Sequence, residues 1–247
     1  SKLSDGTTVG VNHTPLVVAA PTADFATWYE NAIPGPSQTC TTVSGTPPTF
    51  DNDYPARNNS LASVFDLTPA SSYTCRVGTA ATPSGEISWN ASTKVLTVAG
   101  TIYVDGSLKS TNSLATYNGQ AVIYLSGTFL NNGKLCAAVS GGSCSFSTWD
   151  PNTEMLTITA EGTGGQAGVG NGILMDNNSQ FQGALYSTAN IQFTNNSRSD
   201  GPMVANQLLF ANNVQNDSFP TITVVPVGQP GNPAVYAQPN PPQNFSG

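Results

Sequence analysis

The tightest constraint on this 247-residue chain is an internal repeat. From Ile173 onward three segments align: ILMDNNSQFQGALYST, then IQFTNNSRSDGPMVAN from Ile191, then LLFANNVQNDSFPTIT from Leu208. The paired asparagines Asn177-Asn178, Asn195-Asn196 and Asn212-Asn213 recur at nearly even intervals, and Gly183 and Gly201 keep the same interval. Upstream, Ile102-Tyr-Val-Asp-Gly106 returns at a similar interval as Ile123-Tyr-Leu-Ser-Gly127. A longer unit, a tryptophan, a polar turn and an alternating strand, runs from Trp89 to Val98 and recurs from Trp149 to Ile158. Short alternating apolar runs with a period of roughly 20 residues suit one circuit of a parallel β-helix. Asparagine fits the corners, because it tolerates left-handed backbone and its amide can pair with the equivalent amide one circuit above. Met175, Phe193 and Phe210 then fall in one interior column. A β-sandwich also uses many short strands, but its hairpins would not keep this register. The expected fold is all-β: a right-handed parallel β-helix, or β-solenoid, with one short N-terminal helix and an extended Pro-rich C-terminal tail.

The chain divides accordingly into an N-terminal cap with a disulfide-tied irregular segment over 1–85, parallel β-helix coils over 86–219, and the tail over 220–247. The helix is expected from Pro21 to Asn31, where an N-terminal proline and an early Asp24 precede Phe25, Trp28 and Tyr29 on one face. Pro34 and Pro36 stop it. In the tail Thr221-Ile-Thr-Val-Val225 is the one good strand, and the surrounding prolines favour extended geometry. The tail is expected to pack on its own chain, with addition to a neighbouring subunit as the alternative.

Four cysteines admit three pairings. Gly141 and Gly142 let the chain fold back between Cys136 and Cys144, so that pair is expected to form a loop disulfide, which leaves Cys40 with Cys75. Disulfides place the protein in an oxidising, extracellular setting. The longest apolar run near the N-terminus, Leu16-Val-Val-Ala-Ala20, is far too short to span a membrane, and the opening Ser-Lys-Leu reads as the start of a processed ectodomain.

Catalytic chemistry has little to work with. His13 is the single imidazole and has no nucleophile elbow beside it, so neither a hydrolytic triad nor a zinc site is expected. The glycines between Glu161 and Gly172 are followed by no phosphate-binding lysine. Charged residues are only 9% of the chain, against about 25% in an ordinary soluble domain. At seven basic and fourteen acidic residues, nucleic acid is not an expected partner. Asp51-Asn52-Asp53 lacks the further ligands of a calcium loop. Polysaccharide hydrolysis or elimination would need clustered acids or a calcium site with a base, and Asp176 with its neighbours Thr194 and Ala211 forms no acid column. No catalytic residue, metal or cofactor is therefore assigned, and an enzyme acting on polysaccharide ranks last. Binding has better material. Tyr103, Tyr124 and Tyr186 alternate with aliphatic neighbours in repeated strands, which predicts an outward aromatic ladder suited to glycans.

The stretches ADFATWYENAIPGP, GTIYVDGSL, QAVIYLSGTFLNNGKLC, FQGALYSTANIQF and GPMVANQLLF, with FPTITVVPVGQPGNP in the tail, resemble largely uncharacterised bacterial surface proteins, actinobacterial ones especially, with β-helical ectodomains. The resemblance runs from about residue 15 to 235 and implies a cell-envelope or pilus-associated setting, with no catalytic residue carried over. The expected function is that of a non-enzymatic extracellular structural protein, cell-surface or pilus-associated. It would associate with itself or with other surface proteins, with a glycan-binding adhesin as the alternative.

Overall fold

The computed structural model describes residues 39–42, 64–78, 83–104, 106–216 and 221–229. Among them the protein is all-β, and one three-residue 3-10 turn, Gly165–Ala167, is the sole helical element. The expected N-terminal helix, His13 and the acidic triplet at 51–53 lie outside these residues.

The first sheet opens with four strands in antiparallel succession: Thr39–Thr42, Tyr73–Gly78, Pro83–Asn90 and Val95–Val104. Every later strand of the two large sheets is added in parallel. Val95–Val104 pairs along its whole length with Ala115–Leu125, followed by Met155–Ala160, Ala184–Ser187 and Met203–Val204. Beside these, Lys134–Cys136, Gln180–Gln182, Arg198–Asp200 and Gln215–Asn216 continue the same sheet. The second sheet is parallel throughout: Phe65–Asp66, Leu108–Ser110, Phe129–Asn131, Asn171–Met175, Asn190–Phe193 and Gln207–Phe210. From Val95 on the chain passes back and forth between the two sheets, and each return pairs in parallel with the previous pass, with one register shift between Asn171 and Ile173. The repeat of Ile102-Tyr103 at Ile123-Tyr124 is one such circuit, with each residue opposite its counterpart. The steps between the paired asparagines are two more, with Ile173 opposite Ile191 and Ile191 opposite Leu208.

The repeat of the tryptophan unit has a different origin. Trp89 ends one arm of an antiparallel hairpin, and the strand after it starts against Thr116. The strand after Trp149 starts further along the same neighbour, against Gln120. The shared pattern is a local one: an indole N–H is held by a main-chain carbonyl, Pro69 O for Trp89 and Glu154 O for Trp149, both at 2.7 Å, next to a turn that starts a strand.

Strand alternation sorts the side chains. Ile102, Ile123, Ile158 and Leu185 face the interior from the first sheet, and Leu108, Phe129, Ile173 and Ile191 from the second; all are buried in one cluster. Met175 and Phe193 stack as the repeat predicts, and Phe210 follows with its ring 5.2 Å from that of Phe193. Glycine marks the corner between Gln182 and Ala184: Gly183 and Gly201 lie one circuit apart at φ 141° and 125°, and a Cβ on Gly201 would overlap the carbonyl of Gly183.

Cys136 and Cys144 form the expected disulfide, with Cα atoms 5.3 Å apart, and it closes the hairpin Val139–Ser140 with Ser143–Cys144. Gln180 and Gln182 hold that hairpin against the sheet, accepting from Cys144 N at 2.8 Å and Ala138 N at 2.9 Å. Cys75 is disulfide-bonded, and its backbone stands in register with Cys40.

Candidate functional site

The outward face of the first sheet carries the predicted aromatic ladder. Across the parallel strands Tyr103, Tyr124, Thr159, Tyr186 and Val204 occupy one column, and Thr101, Val122, Thr157 and Ala184 the column two residues before it. The structure thus brings the three tyrosines together, with Thr159 between Tyr124 and Tyr186. It does not leave them open: Tyr103 is 1% exposed, Tyr124 is fully buried, and Tyr186 is half-buried. The expectation of an exposed ladder is corrected here: Tyr103 and Tyr124 are buried, and the C-terminal tail bonds Tyr124.

Residues 226–229 form the cover. Pro226-Val227-Gly228-Gln229 is a β-turn closed by Gln229 N donating to Pro226 O at 3.1 Å. Gly228 sits at φ +92°, in the position that requires glycine in a type II turn. Hydroxyls from three consecutive strands grip this turn. Thr101 Oγ1 donates to Val227 O at 2.8 Å, Tyr124 Oη donates to Gly228 O, and Thr157 Oγ1 donates to Gln229 Oε1 at 2.6 Å. The Gln229 side chain also lies beside Tyr186. A Cβ on Gly228 would overlap the Thr101 side chain, so the seat excludes any larger residue there. Burial pushes the Tyr124 phenol well above its ordinary value, and the neighbouring Tyr186 adds to the shift. The Tyr186 phenol is raised by burial as well, with the Gln229 side chain acting against the rise.

The preceding residues show a second departure. Residues 221–225 do not form a strand. Their polar groups go to the side chain of Asn152 instead. Asn152 Oδ1 accepts from Thr223 N at 2.7 Å, Thr223 Oγ1 at 3.0 Å and Val224 N at 3.0 Å, and Asn152 Nδ2 donates to Thr221 O at 3.0 Å. One amide stands in for a strand edge. The described part of the tail lies against a sheet face of its own chain.

The carboxylates serve turns and pairs. Asp150 and Asp176 accept from the turn amides Asn152 N at 3.0 Å and Asn177 N at 2.8 Å. Asp66 holds Thr68 N and Thr111 Oγ1, while Glu86 is bidentate with Arg76 at 2.9 and 3.2 Å. Glu154 has its carboxyl raised by partial burial and by the charge of Asp150. Among the described residues no group of three or more His, Cys, Asp or Glu side chains is arranged to hold a metal ion. The glycine-rich stretch before Gly172 is organised around Asn171, whose Nδ2 donates to Ala167 O at 2.9 Å and to Gln192 Oε1 at 2.6 Å.

No protein-family model, curated protein or solved structure matches the chain. The functional reading therefore rests on geometry. Sequence reasoning found the tyrosines and missed Thr101, Asn152, Thr157 and Gln229. The signal that was present was Pro-x-Gly-x in the tail, a turn signature, alongside the outward hydroxyls of Thr101, two residues before Tyr103, and Thr157, two residues before Thr159.

Proposed function

We propose that the two sheets form a right-handed parallel β-helix, and that the protein is a non-enzymatic extracellular structural subunit, cell-surface or pilus-associated, that associates with itself. One observation carries this reading: among the described residues the stack is closed at one end and open at the other. At the start, antiparallel strands with a disulfide-bonded Cys75 blunt the first sheet, as natural sheets blunt their edges. At the finish, the interior columns run out into Gln207–Phe210. There Leu208 is 40%, Leu209 37% and Phe210 52% exposed, although their counterparts Ile191 and Phe193 are fully buried. A repeat protein ordinarily ends in a polar capping repeat. An apolar last strand whose outer edge pairs with no other strand among the described residues supports contact with a further chain.

The disulfide Cys136–Cys144 supports an oxidising compartment, and among the described residues no helix is long and apolar enough to cross a membrane. The adhesin reading needs Tyr103 and Tyr124 open, and the cover of residues 226–229 speaks against it in this conformation. Light scattering over a concentration series, with negative-stain imaging, tests the proposal. Mass that grows with concentration, or filaments, is expected; a monomer throughout the series overturns self-association.

A further inference from the structure

The seat of residues 226–229 has the character of a recognition site. It reads main-chain carbonyls and one amide side chain through Thr101, Tyr124 and Thr157, and it admits only glycine at the third turn position. Pro226, Gly228 and Gln229 are buried in it, whereas Val227 is 47% exposed and contributes its carbonyl alone. We propose that this face is a docking groove for a Pro-x-Gly-Gln β-turn, filled here by the chain's own tail, and that the same segment of a second copy fills it on assembly.

The tail's two anchors differ in reach. Five residue steps from Asn216 to Thr221 cover at most about 17 Å. The Asn152 clamp lies three strand spacings down the stack, roughly 14 Å, so that clamp is matched to the tail of its own chain. Ten steps from Asn216 to Pro226 cover at most about 34 Å. The groove begins at Val95–Val104, five spacings away, roughly 24 Å. About 10 Å of slack remains, so the chain before Pro226 is not drawn taut by the groove, and the clamp is what holds it to its own stack. A second copy is the occupant because it carries the one turn already seen to fit, and because self-association brings that turn near. This step rests on the self-association proposed above.

The test uses full-length chain carrying Gly228→Ala, whose own turn no longer fits, together with a fluorescent peptide of the sequence at 221–229. Saturable binding of the peptide is expected, at least tenfold tighter than a peptide with alanine at position 228. Wild-type chain, its groove already filled, should bind the peptide at least tenfold more weakly than the variant. Tyr124 provides an independent readout: in the variant without peptide its phenol should ionise at lower pH, and peptide should restore the shift. If the phenol is unchanged by Gly228→Ala, or is released while no peptide binds, the groove is overturned. Asn152→Ala, which frees the clamp and leaves the groove intact, should raise the share of exchanged tails. That share is read by bis-maleimide crosslinking between Thr153→Cys and Thr223→Cys chains mixed together, in the wild-type and Asn152→Ala backgrounds. Chains that associate by light scattering yet never crosslink refute the exchange and leave self-association standing. Peptide binding by a chain that stays monomeric at every concentration keeps the groove and refutes assembly.

Discussion

Asn178, Asn196 and Asn213 hold φ of 60°, 57° and 59°, a backbone state that costs an ordinary L-residue roughly 1–2 kcal/mol and that asparagine enters readily. Each turns the chain at the same point of its circuit, and the turns bond to one another: Asn178 N donates to Asn195 O and Asn196 N to Asn212 O, both at 3.1 Å. The amides add a lighter contact, Asn213 Nδ2 to Asn196 Oδ1 at 3.2 Å on the exposed surface. Backbone preference therefore outweighs the amide. Asn196→Gly should unfold in urea within about 0.5 kcal/mol of the wild type, and Asn196→Ala should lose about 1–2 kcal/mol. Equal losses in both variants would put the amide contact first. These corners were legible from the sequence because a left-handed turn selects its residue locally. The fate of the tyrosines was legible only by half. Their column follows from strand period, but the turn that seats against Tyr124 lies more than a hundred positions downstream of it and leaves no mark on that tyrosine's own neighbourhood.

At the scale of elements, the strand expected over 221–225 shows what β-propensity leaves open. The run has the right residues, but a ladder needs a partner backbone, and the side chain of Asn152 meets the amides of Thr223 and Val224 in its place. The Trp89 and Trp149 units show the converse: similar residues start a strand in both places, yet one follows an antiparallel hairpin and the other enters a parallel stack. The hairpin between Cys136 and Cys144 was legible in full, since two glycines at φ 60° and 77° bring the cysteines together across a short loop. Closing so short a loop is worth about 2.5 kcal/mol in the chain-entropy account. The double variant C136S/C144S should lose about that much in chemical denaturation. A loss near zero would mean that Gln180 and Gln182 hold the hairpin without the crosslink.

For the molecule as a whole, the burial of phenols couples folding to alkaline pH. Tyr73, Tyr117 and Tyr124 are buried, and burial raises each phenol above its ordinary value near 10. Their hydroxyls donate to the main-chain carbonyls of Leu67, Gln182 and Gly228, so ionisation would also remove three donors from distant parts of the stack. An acid whose value is raised in the folded state keeps its proton where the unfolded chain has lost it. Above about pH 10 the native state therefore binds more protons than the unfolded state, and stability falls as pH rises. Below that value the contribution of these phenols to stability is independent of pH. These three groups bring the slope to about 4 kcal/mol per pH unit, and Tyr186, half-buried with its phenol raised as well, adds a smaller part. Tyrosinate absorbance followed alongside circular dichroism checks this: three phenols should appear together with loss of the β signal in one cooperative step. Smooth ionisation of all three with the β signal intact would mean that the stack opens circuit by circuit, because each phenol joins a different part of it. A single early phenol, with the remaining two waiting for unfolding, would identify Tyr124 and report that the tail had lifted from its groove.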